Sequence, residues 1–351
     1  MDTWDSRCAY WENKAEKLEP KTLARHRRKH PLILTGHGVQ LRIRNGALEI
    51  ENGRSYASEE KKFWRFYPGE MAIPERIIFI ETSGAITLAV LDWLEAQDVV
   101  LLNLSYKGKV SAIVGGSKGA ICAVRLQEQI AIRNDPKKRL DFCAALVRRK
   151  LEASLVTLRE IFPPSEVRRE AEIWAEKGLH KIANGEADSV DALRGIEGVA
   201  AARYFDVWNG LELRWKGINQ HPVPTPWLSY SKRSSNIAGK NARNRKADHP
   251  INAMLNYGYA VLESQIRLDV VAHGYDPNFG IFHGNYEERP SYVLDLIEPH
   301  RPEVDKAVLE FALNERFTVK DFYIRQDGMC RLSAKLAAIL SVGACLCSGQ
   351  L

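Results

Sequence analysis

Between Val39 and Arg44 apolar and polar residues alternate, with Val39, Leu41 and Ile43 on one side of an extended chain and Gln40, Arg42 and Arg44 on the other. Asn45-Gly46 then suits a two-residue hairpin turn, and Leu48 and Ile50 resume the alternation before a second Asn-Gly at 52–53, so a β-meander is expected. The apolar runs Arg76–Glu81 and Val99–Leu104 read as buried strands. Between them apolar residues recur at helical intervals through Ile86, Val90, Leu91 and Leu94. The glycine-rich stretch VGGSKGA, Val114 to Ala120, interrupts the pattern; it lacks the spacing of a phosphate-binding loop and reads as a linker. Beyond it the period becomes 3.6, and helices are predicted over 120–134, 138–161, 165–183, 189–209, 250–273 and 303–314, with the Phe162-Pro163-Pro164 stretch as a stop.

The expected fold class is therefore α+β, a small, mainly β N-terminal domain followed by a larger all-α C-terminal domain. The boundaries expected are an extension over 1–30, a β-rich domain over 31–112, a linker over 113–119 and a helical domain over 120–351. A chain of 351 residues with 45% apolar content can bury the cores of two such units. It has no apolar run of roughly 18 residues, the length that spans a bilayer, and no signal-like start, so no membrane association and a cytoplasmic location are expected. The six cysteines (Cys8, Cys122, Cys143, Cys330, Cys345, Cys347) contain no C-x-x-C pair and read as reduced thiols.

A net charge of +6 suits an anionic partner, and its distribution says more than its size. From Lys232 to His249 the chain carries Lys232, Arg233, Lys240, Arg243, Arg245 and Lys246 against Asp248 alone, either a segment ordered on a polyanion or a solvated loop. The basic knot RHRRKH near residue 30 has the same two readings.

The candidate chemistry lies in HGNYEERPSYVLDLIEPHRP, which places His283 upstream of Asp295 and Glu298. In one helical turn the two acids would share a face, each raising the cost of ionising the other, and a cation would relieve them. Pro299 should kink that turn. In RGIEGVAAARYFDVW, Glu197 shares a face with Ala200, Ala201 and Tyr204, so its charge needs either a cation or a helix N-terminus; Gly195 and Gly198 beside it let a bulky ligand approach. Glu197, His283 and Glu298, with Asp295 beside them, form an oxygen and nitrogen donor set without thiolate. That set suits Mg²⁺ or Mn²⁺, and the imidazole favours Mn²⁺ over Ca²⁺.

Four blocks, GIEGVAAARYF, HPINAMLNYGYAVLESQI, GYDPNFGIFH and RPSYVLDLIEPHRPEVD, strongly resemble the CRISPR-associated integrase of spacer acquisition, the Cas-one family, in its order and over about Pro31 to Phe322. The resemblance implies a homodimer formed through the β domain, a helical domain holding a metal site, and assembly with the small Cas-two partner as a heterohexamer around double-stranded DNA. Carried over residue by residue, it implies Glu197, His283 and Glu298 as metal ligands and Asp295 as the supporting acid. Asn256 and Tyr257 fall in its N-Y-G-Y block, either packing beneath the site or approaching DNA. The family often has Gly-Arg ahead of Ser-Leu where this chain reads Glu288 to Tyr292; Arg289 is the DNA-contacting residue expected there.

The reaction implied is attack by a DNA 3′-hydroxyl on a phosphodiester of the repeat array, with endonuclease activity alongside and His283 ligating in its neutral form. Three rivals stand beside it: a general metal-dependent nuclease using water at the same residues, a transposon-borne relative, and a non-catalytic DNA-binding scaffold. The transposon-borne relatives append a DNA-binding helical domain, for which residues 306–351 leave little room.

Overall fold

The computed structural model describes Tyr10, Lys14 and residues 32–53, 62–104, 110–115, 123–234, 246–284, 289–333, 335–337 and 339–340. Strand β1 (Leu32–Arg44) turns at Asn45-Gly46 into β2 (Ala47–Glu51), with Arg44 opposite Ala47 and φ of 52° and 78° at the turn. Positive φ at both positions matches the twist of the hairpin, and Asn-Gly supplies it at little steric cost. The second Asn-Gly departs from expectation. Strand β3 starts at Phe63 (Phe63–Phe66), too far on for a two-residue turn, although Asn52 donates its backbone N–H to Lys62 O at 2.9 Å. Gly53 is instead a point of close approach, where a Cβ would collide with the backbone of Gly36.

Strand β4 (Arg76–Ile86) runs past Glu81 and takes in Ile86, which the apolar spacing had assigned to the helix. Helix α1 (Leu88–Ala96), β5 (Val100–Leu104) and β6 (Val110–Val114) follow. The six strands form one mixed sheet in the order β3-β2-β1-β4-β5-β6, parallel between β1 and β4 and between β4 and β5. Because side chains alternate across a strand, Ile77 and Leu101 join Val90, Trp93 and Leu94 of α1 in one core, while Ile78 and Leu102 join the core of the helices. The sheet is thus buried from both sides at its centre.

Seven further helices are described: α2 (Ala123–Asn134), α3 (Pro136–Ile161), α4 (Glu166–Ala183), α5 (Val190–Asp206), α6 (Pro250–Ala272), α7 (Ser291–Ile297) and α8 (Arg301–Asn314). Asp135, Ser165 and Ser189 cap α3, α4 and α5 by accepting backbone N–H groups of the first turn, and α3 stops at Phe162-Pro163. Gly258 lets α6 meet α8 closely, since a Cβ there would stand 2.6 Å from Val304 Cγ1. The expectation of an all-α region is corrected by two small sheets. Strand β7 (Arg214–Trp215) pairs in parallel with β8 (Arg316–Phe317), and β9 (Phe322–Ile324) pairs with β10 (Cys330–Leu332). The architecture remains α+β, strands first and helices after.

Cys143 and Cys330 are buried, and burial pushes the Cys143 thiol up to about 12, as expected of inert core thiols. Cys8, Cys122, Cys345, Cys347 and the RHRRKH knot lie outside the described residues. Among the described residues no helix is long and apolar enough to cross a membrane.

Helix α6, which carries one wall of the site below, begins at a histidine. His249 is buried, and its Nδ1 accepts the backbone N–H of Ile251 at 3.2 Å, which only a neutral ring can do. Burial holds its pKa down to about 4, below the usual 6.5. The unfolded chain therefore takes up this proton first as pH falls. The contribution to stability is full above pH 6.5 and is lost as pH falls through 4, to the extent of roughly 3 kcal/mol. His249→Asn keeps a capping oxygen without titrating, so melting curves from pH 7 to 4 should fall less steeply for the variant than for the parent. Parallel curves would remove His249 as the cause.

Candidate active site

The segment leading to His283 is fixed by bonds on both its carbonyls and its amides. Gln129 Nε2 donates to Asp276 O at 3.0 Å, Arg133 Nη1 to Gly280 O at 3.0 Å, Arg139 Nε to Ile281 O at 2.9 Å, and Arg194 Nη2 to Phe282 O. On the amide side stands Asp295 of α7, with no solvent exposure. Its Oδ2 accepts the N–H of Ile281 (2.6 Å) and Phe282 (2.9 Å), and its Oδ1 accepts the N–H of His283 (2.9 Å). His283 Nδ1 lies 2.6 Å from the same Oδ1. A carboxylate only accepts, so the imidazole proton is on Nδ1 and Nε2 is left as a lone-pair donor, the arrangement of a metal-binding histidine oriented by a carboxylate.

Glu298 follows three residues on, still in helical backbone and with its N–H bonded to Asp295 O, but the two acids take different partners. Helix α7 ends at Ile297, and Glu298–His300 forms a 3₁₀ turn into α8, with Pro299 buried at its second position. The kink expected of Pro299 is thus a change of helix type. The expected repulsion between the two acids is corrected, because Asp295 turns to the 281–283 amides and Glu298 turns to cations. Arg301 Nε is 3.0 Å from Glu298 Oε1, and Lys150 Nζ of α3 is 2.6 Å from Glu298 Oε2. Burial alone would raise the Glu298 carboxyl; Arg301, Lys150 and then His283 outweigh it and hold its pKa down to about 2.

Glu197 lies within α5, well past its first turn, so of the two sequence readings the cation holds. Its Oε1 contacts the same Lys150 ammonium. Burial lowers the Lys150 pKa, but the charges of Glu298 and Glu197 more than restore it, and the ammonium stays charged. The two acids therefore converge from separate elements on one cation. Among the described residues no three His, Cys, Asp or Glu side chains stand close enough to share an ion as they are placed. The fit to a metal rests on the ammonium, a cation seated between the two carboxylates.

A cavity of about 230 Å³ opens beside this pair, lined by Lys150, Glu197, Arg233, Tyr259, Arg301 and Asp305 among others. Arg233 is not part of a loose basic loop: its Nη2 donates to Asn256 Oδ1 at 2.8 Å, and its guanidinium lies 5.6 Å over the Tyr259 ring. Asn256 thus positions Arg233, and Tyr257 is core. Lys232, Lys246 and Arg289 are exposed, as a phosphate contact requires, while Lys240, Arg243 and Arg245 lie outside the described residues. No Cβ clash explains Gly195 or Gly198, whose Cα atoms face open space. Sequence reasoning missed Lys150, Arg301 and Asp305. A signal existed for Lys150, a lysine on the buried stripe Leu146, Val147, Leu151 and Ser154 of α3.

Residues 32–341 match the family model described as CRISPR associated protein Cas1. The chain belongs to the Cas1 family. A Cas1 relative from Methanospirillum hungatei, a CRISPR-associated endonuclease, is 26% identical over 86% of this chain and 82% of its own length. Two solved structures share the fold. A casposase bound to integration product has TM-score 0.71 at 24% identity, covering 91% of this chain and 82% of that one. A chain of a Cas6-RT-Cas1–Cas2 complex has TM-score 0.64 at 18% identity, covering 93% and 33%. The family agrees with the resemblance carried by the four sequence blocks and with an endonuclease or integrase activity.

Asp295 gives a test of how this Cas1 site is built. In Asp295→Asn an amide NH₂ must replace one acceptor facing backbone N–H groups, leaving buried donors unpaired at about 1–3 kcal/mol each. The variant should melt several degrees lower, and residues 281–283 should gain amide exchange. Asp295→Glu should not rescue it, since the longer arm misplaces the acceptor. Unchanged exchange at 281–283 would show that the loop is held by its carbonyl bonds alone.

Proposed function

We propose that this chain is a divalent-metal-dependent DNA integrase that inserts spacer DNA into a CRISPR array. The observation that carries this reading is the convergence of Glu197 and Glu298 on one cation, next to a histidine oriented by a buried carboxylate, in a chain of the Cas1 family. Glu197, Glu298 and His283 Nε2 would hold the ion, Mg²⁺ or Mn²⁺, with the imidazole inclining the set toward Mn²⁺. When bound, the ion supplies charge neutralisation at the phosphoryl oxygens and favours the deprotonated hydroxyl.

The chain's own groups set the conditions for that chemistry. Arg301 keeps Glu298 ionised through the physiological range, and Asp295 keeps the proton of His283 on Nδ1. In the reaction a 3′-oxygen of the incoming end forms a new bond to phosphorus, and the bond from phosphorus to the array strand's 3′-oxygen breaks. That oxygen leaves with a proton as a new 3′-hydroxyl. One phosphodiester replaces another, so no energy source is needed. Lys232, Lys246 and Arg289, with Lys240, Arg243 and Arg245, would neutralise phosphates and carry affinity rather than chemistry.

The β-rich region over 31–112 would form the homodimer, and the small Cas2 partner would complete a heterohexamer around double-stranded DNA in the cytoplasm. The fold shared with a chain of a Cas1–Cas2 complex supports this assembly. Hydrolysis at the same residues is the second reading, favoured by the endonuclease name of the M. hungatei relative. A labelled duplex with free 3′-ends, incubated with a supercoiled array plasmid and Mg²⁺ or Mn²⁺, separates them: joined product is expected, and cleavage without joining would overturn the integrase reading.

In that assay His283→Ala and Glu298→Gln should each reduce joining at least 100-fold while duplex affinity changes less than about threefold, because dispersed cations carry binding. Equal loss of both would argue against a metal role. Lys232→Gln with Lys246→Gln should flatten the slope of log affinity against log salt by about 2, at ~0.9 per phosphate contact. An unchanged slope would dismiss both as contacts.

A further inference from the structure

The cavity beside the acid pair carries a balanced set of charges. Three carboxylates, Glu197, Glu298 and Asp305, line it together with three cations, Lys150, Arg233 and Arg301. A divalent ion seated on Glu197 and Glu298 is surplus to that balance and would lie against the Lys150 ammonium, which contacts the same two carboxylates. One of the three cations has to yield. Arg233 is pinned by Asn256 and by the Tyr259 ring, and Arg301 by Glu298 and by the same ring at 4.9 Å. Lys150 is a compact charge on a flexible stem, and its ammonium is held by the two carboxylates the metal needs.

It also has somewhere to go. The cavity of about 230 Å³ extends from Lys150 to Asp305, far more room than an ammonium occupies. Asp305 is buried and is met by the Tyr259 hydroxyl; burial pushes its pKa up to about 6, so its carboxylate gains from any cation brought nearer.

Building on the metal reading above, we propose that Lys150 is a displaceable counter-ion: it occupies the Glu197–Glu298 seat, competes with the divalent ion for it, and swings toward Asp305 when the ion binds. Lys150 therefore keeps Glu298 ionised and holds the two acids together, at the expense of metal affinity. Asp305 acts in the opposite sense, by offering the ammonium a second place.

The test is Mn²⁺ binding by the full chain without DNA, followed by electron paramagnetic resonance of free Mn²⁺ and by the Mn²⁺-dependent shift in melting temperature. Lys150→Met should bind Mn²⁺ at least tenfold more tightly than the parent, and Lys150→Arg should not. Lys150→Gln, which keeps a hydrogen-bond donor, provides the same comparison should the methionine variant fail to fold. Asp305→Asn should weaken Mn²⁺ binding severalfold in the parent but not in the Lys150→Met background, a coupling that a merely structural role for Asp305 would not produce. Mn²⁺ affinity that is unchanged or weaker in both neutral Lys150 variants overturns the proposal while leaving the metal reading in place. Absence of Mn²⁺ binding in parent and variants alike overturns both.

Discussion

A carboxylate without solvent exposure is tolerated only when its lone pairs are filled, and Asp295 fills them with three backbone amides and one imidazole. The rest of the site depends on this. The bonds tie an irregular segment, His283 included, to helix α7. They also commit Asp295 fully, which leaves Glu298 as the acid available to a cation. Glu298, at the start of the 3₁₀ turn, meets Lys150 of α3 and Arg301.

What could be read from the sequence follows the range of the forces involved. The hairpin at Asn45-Gly46 and the helix bounds were legible because turn chemistry, capping and apolar period are local. The second Asn-Gly misled, since the demand on Gly53 comes from Gly36, a neighbour in space. The pairing of Arg214–Trp215 with Arg316–Phe317 was invisible for the same reason: two-residue strands carry no periodicity, and their partner lies far along the chain. At the site, the sequence suggested a cation for Glu197 and Glu298 and sought it outside the protein, whereas the structure seats Lys150 on both. Lys150 could have been noticed as a charge on the buried stripe of an amphipathic helix, where a lysine is rare unless paired.

The cluster of buried charges around Glu298 is hard to justify as a source of stability. Desolvating two carboxylates, an ammonium and a guanidinium offsets much of their attraction, and apolar side chains of similar volume would serve the fold as well. What the cluster does achieve is a fixed protonation state. With Arg301 and Lys150 both on Glu298, its carboxyl is held near a pKa of 2 despite a burial that would otherwise favour the acid form. An apolar core could not present an ionised oxygen at neutral pH, and neither could a carboxylate buried alone.

The two cations differ in a way that matters for this purpose. Arg301 approaches Glu298 from its own helix, is stacked on Tyr259 and shares only one of the two acids. It can keep Glu298 charged whether or not a metal is present. Lys150 bridges both acids and comes from a third element, so it also fixes the distance between α5 and the 3₁₀ turn. A site that must hold two carboxylates close together before an ion arrives needs a charge of this kind, strong enough to overcome their repulsion and mobile enough to leave. Lysine meets both conditions better than arginine, whose planar fork would bind the carboxylates in a geometry a spherical ion could less readily displace.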